Sequence, residues 1–551
     1  MRRRRVIVLG IDGGTFDVLL PLARSGHMPN LLKVIEGGVT ARLESTFSFL
    51  TAPAWTSFMT WKNPGKHDVF DFVRPYRKEL AIEFNNFKSI RSRTIWNILS
   101  DKGLRVCAIN VPITYPAPEV EGVIISGLGA PGLNEKAFFP RQLFTELQHE
   151  IGPYILDVPL ENYGPNDVIK FLDDLKTCTR TRKTYITHLF EREDWDLFMA
   201  VLSGTDRIQH KLWDVLTHVV AGSGNGDGKE ISRGILEYFS MVDEIVGDLG
   251  RRLEGDDLLL MMSDHGFGSL EHELAINRWL EEKRFFVPVK GKLALKKGIR
   301  FAREIQMSIL SRLSPASFEK KSKRRMESTE TVRKPKIDFI NWGKTRAFSP
   351  TRTQQGITIN LRGREPFGTV EPGEEYERLR SDLIDSLREL RDPVTGRKME
   401  NLVYRREEVY SGPYVGNAPD IVYLFDGGRI IATHQYGKDL FTPVTWKTGN
   451  GMHRRDGIFI ARGNGVVVGQ ELSPRSIVDV APTILYHLGI DIPDDMDGKT
   501  IEGMYRNDFR ARHEIKFEQT ITRAEGDDDS VYSEEDKKII EEQLRGIGYL
   551  E

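Results

Sequence analysis

An unbroken apolar run in this sequence leads directly into two ionisable residues. Leu258–Met262 is followed, after one serine, by Asp264 and His265, and Gly266 then opens a turn. Consecutive apolar residues of this length are typical of a strand that is buried on both faces of a parallel sheet. Carboxylate oxygen and imidazole nitrogen are ligands of zinc and of manganese, so the pair predicts a metal site. The alternative is a turn in which both side chains only satisfy backbone groups.

Two further carboxylates follow apolar runs in the same way. Asp12 comes after Val6–Leu9 in a glycine-rich turn, and Asp206 comes after Phe198–Leu202. If the chain is helical at Asp206, His210 lies one turn farther on the same face, and the two side chains can bind one ion. The same spacing occurs on solvated helices, and an Asp in a glycine-rich turn is commonly a turn former.

Thr51 and His453 complete the set of candidate residues. Thr51 lies in the hydroxyl-rich stretch Ser45–Ser57, whose pattern places it at the N-terminus of a helix. Backbone N–H groups and the helix dipole favour an anion there, so Thr51 is either a nucleophile toward an anionic substrate or a simple N-cap. His453 lies in a polar, glycine-rich loop before the apolar run Ile458–Ala461. This loop can bring His453 to the edge of a sheet.

The elements that must position these residues are buried strands. Ligands of open α/β sheets bind beyond the carboxyl ends of the strands, and three of the apolar runs end in a candidate carboxylate. Helical patterns, among them Glu374–Arg391 and Ser476–Gly489, alternate with the apolar runs. The sequence therefore predicts an α/β fold with a large, mostly parallel sheet that has helices on both faces.

Composition limits the class of protein. A chain of 551 residues with 39% hydrophobic residues can bury a large core, and a formal net charge of -2 argues against a general nucleic-acid partner. Cys107 and Cys178 are too few to staple a chain of this size, which favours reduced thiols in a cytoplasmic protein. No apolar run approaches the roughly 18 residues that a bilayer span needs, so no membrane partner is expected. The oligomeric state stays open.

The division into domains follows a change in charge. Between Lys290 and Lys336 about fifteen Lys or Arg stand against about four acidic residues. We therefore predict a basic insertion or cap at residues 276–345, with a solvated surface rather than a nucleic-acid site, because aromatic residues that would stack bases are not interleaved with the charges. Residues 1–275 and 346–510 form the discontinuous core. Residues 511–551 form an acidic tail with a short helix.

The order of the candidate residues resembles the alkaline phosphatase superfamily, and most of all its type I phosphodiesterase and nucleotide pyrophosphatase branch. The chain is especially similar to the prokaryotic phosphohydrolase or phosphomutase group of that superfamily. The resemblance covers most of the chain and rests on the segments Val6–Gly13, Ala52–Trp55, Asn63–His67, Ser263–Gly266 and Ser476–Thr483.

The resemblance implies an alkaline phosphatase-like fold, a metallohydrolase core and a small-molecule phosphoester substrate with a phosphodiester or pyrophosphate bond. It implies two divalent metal ions, zinc or alternatively manganese. One ion would be surrounded by Asp12, Thr51, Asp264 and His265, and the other would be held by Asp206, His210 and His453. Thr51 would attack phosphorus, and water would then hydrolyse the phospho-threonine.

The chain departs from the resembling proteins at several positions. Ala54 stands where nucleotide pyrophosphatases usually have an Asn that hydrogen-bonds a phosphoryl oxygen, and Trp61 and Asp68 replace residues that are commonly Gly. The run Thr51–Trp55 lacks the Arg of the sulfatase pattern, which disfavours a sulfatase. The remaining alternatives are a phosphomutase or phosphomonoesterase of the same superfamily and, in another class, a catalytically inactive metal-stabilised binding protein.

Overall fold

The computed structural model describes residues 4–74, 83–223, 228–289, 340–434, 439–444, 449–520 and 531–546. The strands in chain order are β1 (Val6–Ile11), β2 (Val39–Glu44), β3 (Val73–Arg74), β4 (Glu83–Phe84), β5 (Val106–Val111), β6 (Gly122–Ser126), β7 (Phe138–Phe139), β8 (Leu197–Leu202), β9 (Leu258–Met262), β10 (Gly266–Ser269), β11 (His272–Ala275), β12 (Ala347–Phe348), β13 (Gly356–Ile359), β14 (Asn401–Arg405), β15 (Ile421–Phe425), β16 (Ile430–Thr433), β17 (Phe441–Pro443), β18 (Gly451–Arg454), β19 (Asp456–Gly463), β20 (Gln470–Glu471), β21 (Arg475–Ser476), β22 (Ile492–Pro493) and β23 (Phe517–Glu518). The α-helices are α1 (Phe16–Arg24), α2 (Pro29–Glu36), α3 (Thr51–Thr60), α4 (Pro64–His67), α5 (Ile95–Asp101), α6 (Leu143–Ile151), α7 (Val168–Arg192), α8 (Gly204–Val220), α9 (Lys229–Arg251), α10 (Ile276–Glu282), α11 (Glu374–Arg388), α12 (Arg406–Val409), α13 (Val480–Leu488), α14 (Asn507–Arg512) and α15 (Glu534–Gly546).

A large sheet forms the centre of the molecule. Its strand order is β20-β2-β19-β9-β1-β8-β5-β6-β7, and β21 also pairs with β2. The five central strands β9, β1, β8, β5 and β6 are all parallel, whereas β19 is antiparallel to both of its neighbours and β7 is antiparallel to β6. The mostly parallel sheet predicted from the apolar runs is therefore confirmed.

Helices cover both faces of this sheet. Side chains of a strand point alternately to opposite faces, so each central strand packs against helices on both sides. In β1, Ile7 and Leu9 pack in one hydrophobic cluster with residues of α1, α7, α8 and α9. Val6 and Val8 pack in a second cluster, with residues of α3, α5 and α13. All four side chains are fully buried, which explains why the run carries no polar residue.

Part of the chain forms a second sheet. Its strand order is β12-β13-β15-β16-β11-β17, with β14 paired to β15, and it has its own hydrophobic cluster under α11. The strands of residues 346–443 belong to this second sheet, and the chain returns to the central sheet at β19. In the second sheet, β11, which precedes residue 276, pairs with β16 and β17 more than a hundred residues later. The division into a discontinuous core and a cap at residues 276–345 stays a prediction.

Other predicted segments have separate outcomes. The basic run from Lys290 to Lys336 lies outside the described residues. In the tail, α15 begins with the expected capping contacts: the backbone N–H of Ser533 donates to Asp536, and the backbone N–H of Asp536 donates to Ser533 Oγ. Cys107 and Cys178 are unpaired and buried. Within the described ranges, no helix combines the length and the hydrophobicity that a bilayer span requires.

Candidate metal centre

The candidate carboxylates lie together at one edge of the central sheet. Asp12 directly follows β1, Asp264 comes two residues after β9, and Asp206 lies in the first turn of α8, which begins after β8. These three strands are neighbours and end at the same edge, with Ile11 of β1 opposite Leu202 of β8 and Gly10 of β1 opposite Met262 of β9. The parallel arrangement therefore brings three side chains together that are far apart in sequence.

One cluster consists of Asp206, His210 and His453. Asp206 Oδ1 lies 3.3 Å from Nε2 of each histidine, and the two Nε2 atoms are 3.0 Å apart. Asp206 and His210 share a face of α8, as their spacing predicted. The loop predicted for His453 is wrong, because His453 lies in β18 opposite Phe267 of β10. This pairing crosses nearly two hundred residues and has no local signal in the sequence.

The other cluster consists of Asp12, Asp264 and His265, and Thr51 lies against it. His265 Nε2 is 3.7 Å from Asp12 Oδ1, 3.2 Å from Asp264 Oδ2 and 3.3 Å from Thr51 Oγ1. The backbone N–H of Gly13 donates to Asp264 Oδ1 at 3.2 Å. All four clustered side chains are essentially inaccessible to solvent.

Thr51 is the first residue of α3, as predicted from the pattern around it. The preceding residues Ser48 and Phe49 have φ angles of 70° and 47°, which place two non-glycine residues in the left-handed region. Such backbone costs free energy and persists where surrounding contacts hold it. One of these contacts is the Phe49 carbonyl, which accepts a hydrogen bond from His453 Nδ1 at 2.8 Å. The turn before Thr51 is thus tied to the other cluster.

Backbone carbonyls orient all three histidines. Nδ1 of His210 lies 3.1 Å from the Gly451 oxygen, Nδ1 of His265 lies 3.1 Å from the Gly266 oxygen, and His453 makes the contact described above. A carbonyl can only accept, so in a neutral ring the proton is on Nδ1 and the lone pair on Nε2. Metal-bound histidines typically donate their other N–H to a carbonyl or carboxylate in this way.

The oxygen atoms of the clusters also suit a cation. Within the described part of the chain, one buried oxygen of each carboxylate has no hydrogen-bond donor, namely Asp12 Oδ1, Asp206 Oδ1 and Asp264 Oδ2. These oxygens face the Nε2 lone pairs, and in each cluster the donor atoms all lie within 4.8 Å of one another. Buried lone pairs that converge without a donor are costly unless a positive charge compensates them. The two sets of residues therefore fit divalent ions.

Burial also shifts the pKa values of most of these groups away from their usual range. Burial, together with the charges of Asp264 and Asp206, raises the pKa of Asp12, and burial raises the pKa of Asp264 to about 7. Burial also lowers the pKa of His265 and of His453. Asp206 is the exception, because its neighbours His210 and Arg207 overcome the effect of burial and hold its pKa well below the usual range.

The departures in the sequence have structural counterparts. Trp61 and Asp68, which stand where Gly is common, end α3 and α4 with φ angles of 51° and 66°. Glycine adopts this left-handed conformation without steric cost. Ala54 is buried in the core between α3 and the central sheet, where its methyl group offers no hydrogen bond to a phosphoryl oxygen.

Sequence reasoning did not identify Arg207 and Asp157. Arg207 Nη1 donates to Asp206 Oδ2, and its Nε lies 3.2 Å from Asp157 Oδ2. The position of Arg207 next to Asp206 was a usable signal, because a guanidinium in the first turn after a buried strand needs a carboxylate partner. Asp157 lies outside any helix or strand and gave no signal.

A family model and two solved structures are similar to this chain. The family model "Type I phosphodiesterase / nucleotide pyrophosphatase" matches residues 6–457. A search of curated protein sequences finds no match. Among solved structures, murine ectonucleotide pyrophosphatase / phosphodiesterase 5 as an inactive variant in complex with AMP is 10% identical, with 88% of this chain and 95% of that chain covered and a TM-score of 0.46. A second structure of that protein is 12% identical, with the same coverage and a TM-score of 0.45. By its match to the family model, the chain belongs to the type I phosphodiesterase and nucleotide pyrophosphatase family and is a phosphoric ester hydrolase.

Proposed function

We propose that the protein hydrolyses phosphodiester or pyrophosphate bonds of a small-molecule substrate with two divalent cations and Thr51 as the nucleophile. The observation that carries the proposal is the position of Thr51 Oγ1, 3.3 Å from His265 Nε2 and beside two adjacent clusters of metal-type ligands. Asp206, His210 and His453 would hold one cation, and Asp12, Asp264, His265 and Thr51 the other. Zinc suits this set of nitrogen and oxygen donors, and manganese is the alternative.

When bound, the two cations would lower the pKa of a coordinated hydroxyl and offset the charge on the phosphoryl oxygens. The chain's own groups then position the reaction. The N-terminus of α3 directs backbone N–H groups toward an anion next to Thr51. The Thr51 hydroxyl gives its proton to water and its oxygen bonds to phosphorus, while the bond to the leaving group breaks and the leaving oxygen keeps the electron pair. Water then attacks phosphorus, the bond between phosphorus and the Thr51 oxygen breaks, the phosphate product leaves, and a proton from that water restores the hydroxyl.

The expected preference for diesters follows from charge. A monoester dianion carries one negative charge more than a diester and needs further positive groups. Arg454, which directly follows His453, donates to the backbone oxygens of Gly428 and Ser269. Arg207 directly follows Asp206, but it already binds the carboxylates of Asp157 and Asp206 and is 1% exposed. It therefore does not serve a phosphoryl oxygen.

The test is a comparison of kcat/KM for bis-p-nitrophenyl phosphate and p-nitrophenyl phosphate with zinc and with manganese, with the metal content measured on the same samples. A higher value for the diester supports the proposal. A clear preference for the monoester under both metals would make the protein a phosphomonoesterase, and transfer of phosphate within a sugar phosphate would make it a mutase. Metal binding without turnover of any substrate would indicate an inactive binding protein.

A further inference from the structure

Arg207 connects the Asp206 cluster to a segment of the chain that contributes no candidate ligand. Its side chain is 1% exposed and lies between two carboxylates. Nη1 donates to Asp206 Oδ2. On the other side, Nε lies 3.3 Å from Asp157 Oδ1 and 3.2 Å from Asp157 Oδ2, and Nη2 also donates to Oδ2. The guanidinium therefore uses all three of its nitrogens on these two residues.

Because of this contact, the two carboxylate oxygens of Asp206 have different partners. Oδ2 accepts from Arg207, whereas Oδ1 faces Nε2 of His210 and of His453 at 3.3 Å. Asp264 shows the same division, because the Gly13 N–H occupies its Oδ1 and leaves Oδ2 toward His265. Each carboxylate is thus held by one oxygen and presents the other, which is the arrangement of a monodentate ligand.

Asp157 prevents Arg207 from binding both carboxylate oxygens of Asp206. A guanidinium commonly binds a carboxylate through two parallel hydrogen bonds, and such a bond to Asp206 would take up both oxygens. The Asp157 carboxylate occupies the Nε and Nη2 side of the fork, which leaves only Nη1 for Asp206. It also offsets the positive charge of Arg207, which would otherwise repel a cation in the neighbouring cluster. Asp157 is itself fixed, because its Oδ1 accepts from the Val158 N–H at 2.9 Å.

We propose that Asp157 and Arg207 form a positioning pair that holds Asp206 for monodentate binding and sets the affinity of the Asp206, His210 and His453 cluster for its cation. The pair contacts neither substrate nor cation. The inference rests on the proposed function in one respect, namely that this cluster binds a divalent ion. It adds the residues that control that binding.

The informative variant is Asp157→Asn, which keeps the size of the side chain and removes its charge. Both effects of the loss, the freed guanidinium fork and the uncompensated positive charge, act against a cation. Changes to residues that orient metal ligands typically weaken metal binding by about 10–100-fold, and we expect a loss in this range for one of two bound ions. Asp157→Glu retains the charge and should recover most of the affinity.

The matched control is Asp257→Asn. Asp257 also binds an arginine through both oxygens, with Arg5 Nε at 3.4 Å and Arg5 Nη2 at 2.7 Å, but it lies at the amino end of β9, at the opposite edge of the central sheet. It should leave both metal affinities unchanged. Arg207→Lys serves as a second variant, because a lysine keeps the charge but lacks the fork that bridges two carboxylates.

The experiment titrates metal-free full-length protein with Zn²⁺ in competition with a chromogenic chelator, and circular dichroism verifies that each variant is folded. We expect two bound ions in the unaltered protein, and weakened binding of one ion in Asp157→Asn and in Arg207→Lys but not in Asp257→Asn. Unchanged binding in folded Asp157→Asn, or an equal loss in Asp257→Asn, would overturn the positioning pair and leave the proposed function intact. The unaltered protein is also titrated with Mn²⁺, and if it binds neither Zn²⁺ nor Mn²⁺, both proposals are wrong.

Discussion

The imidazole rings of His265 and His453 stack on each other, with centroids 3.5 Å apart and an angle of 20° between their planes. The rings belong to different clusters, so the two candidate metal positions are in direct contact through this pair of side chains. His453 is also bound to the Phe49 carbonyl in the turn before Thr51. A change at His453 should therefore affect both clusters and Thr51. A change at His210, which does not stack on His265, should affect only the cluster of Asp206.

This relationship predicts different metal contents for two histidine variants. His210→Ala should lose the ion of its own cluster and retain the other, whereas His453→Ala should weaken both because the stacked partner and the Phe49 contact are lost. The measurement is the metal content per chain by mass spectrometry after dialysis. His218→Ala is the matched control, since His218 lies exposed on the same helix and should change nothing. Equal losses in all three variants would contradict the assignment.

Thr51→Ala should remove turnover and leave most of the metal. The hydroxyl is the proposed nucleophile, while the other six side chains supply the remaining ligands, so we expect a loss in kcat of roughly 10³-fold or more. Thr51→Ser keeps the hydroxyl and should retain a substantial part of the activity. The measurement is kcat together with metal content on the same preparation. Near-full activity of Thr51→Ala that survives the additional change Ser48→Ala would exclude the phospho-threonine.

Asp71 should make stability depend on pH. Its carboxyl is fully buried and accepts hydrogen bonds from the hydroxyls of Thr353, at 2.6 Å, and Thr351, at 3.3 Å. Burial raises its pKa to about 7, and these hydrogen bonds offset only part of that effect. An acid with a raised pKa in the folded state binds its proton more tightly there. Its contribution to stability is therefore complete below about pH 4 and is lost as the pH rises to about 7.

The measurement is urea unfolding of the unaltered protein and of Asp71→Asn between pH 4 and pH 8. As the pH rises from about 4 to about 7, the unfolding free energy of the unaltered protein should fall relative to that of Asp71→Asn by up to about 1.4 kcal/mol for each pH unit. Above about pH 7 the difference between the two proteins should level off. The variant removes only this titration, so other groups cancel in the difference. A difference that is constant across the window would show that the carboxyl is ionised throughout.

The sequence predicts the strands of the central sheet but not the second sheet or the long-range contacts around the site. The strands before Asp12, Asp206 and Asp264 are apolar on both faces because helices cover both faces, so each is visible as an uninterrupted run. The helical spacing of Asp206 and His210 is local as well. The second sheet was missed because its strands are short and pair over long separations. Asp157 meets Arg207 across 50 residues, and no periodic pattern records such a contact.

The last prediction concerns the attachment of the C-terminal segment. Tyr532 stacks on Tyr115 with centroids 5.7 Å apart, and its hydroxyl donates to the Gly129 carbonyl at 2.9 Å. Tyr532, Ile540 and Leu544 are almost fully buried in the cluster under α1, α7, α8 and α9. The stacked ring is therefore the first anchor of α15 on the loops that follow β5 and β6.

Tyr532→Phe should cost about 1 kcal/mol, since it removes one hydrogen bond and keeps the stacking. Tyr532→Ala should cost about 3–5 kcal/mol, because it also removes a buried ring. The measurement is amide hydrogen exchange of residues 531–546, which reports the local opening of α15 independently of global unfolding. Ile539→Ala is the control, because this side chain is 38% exposed and should alter the exchange only slightly. Protection in Tyr532→Ala equal to that of the unaltered protein would mean that Ile540 and Leu544 alone hold the helix in place.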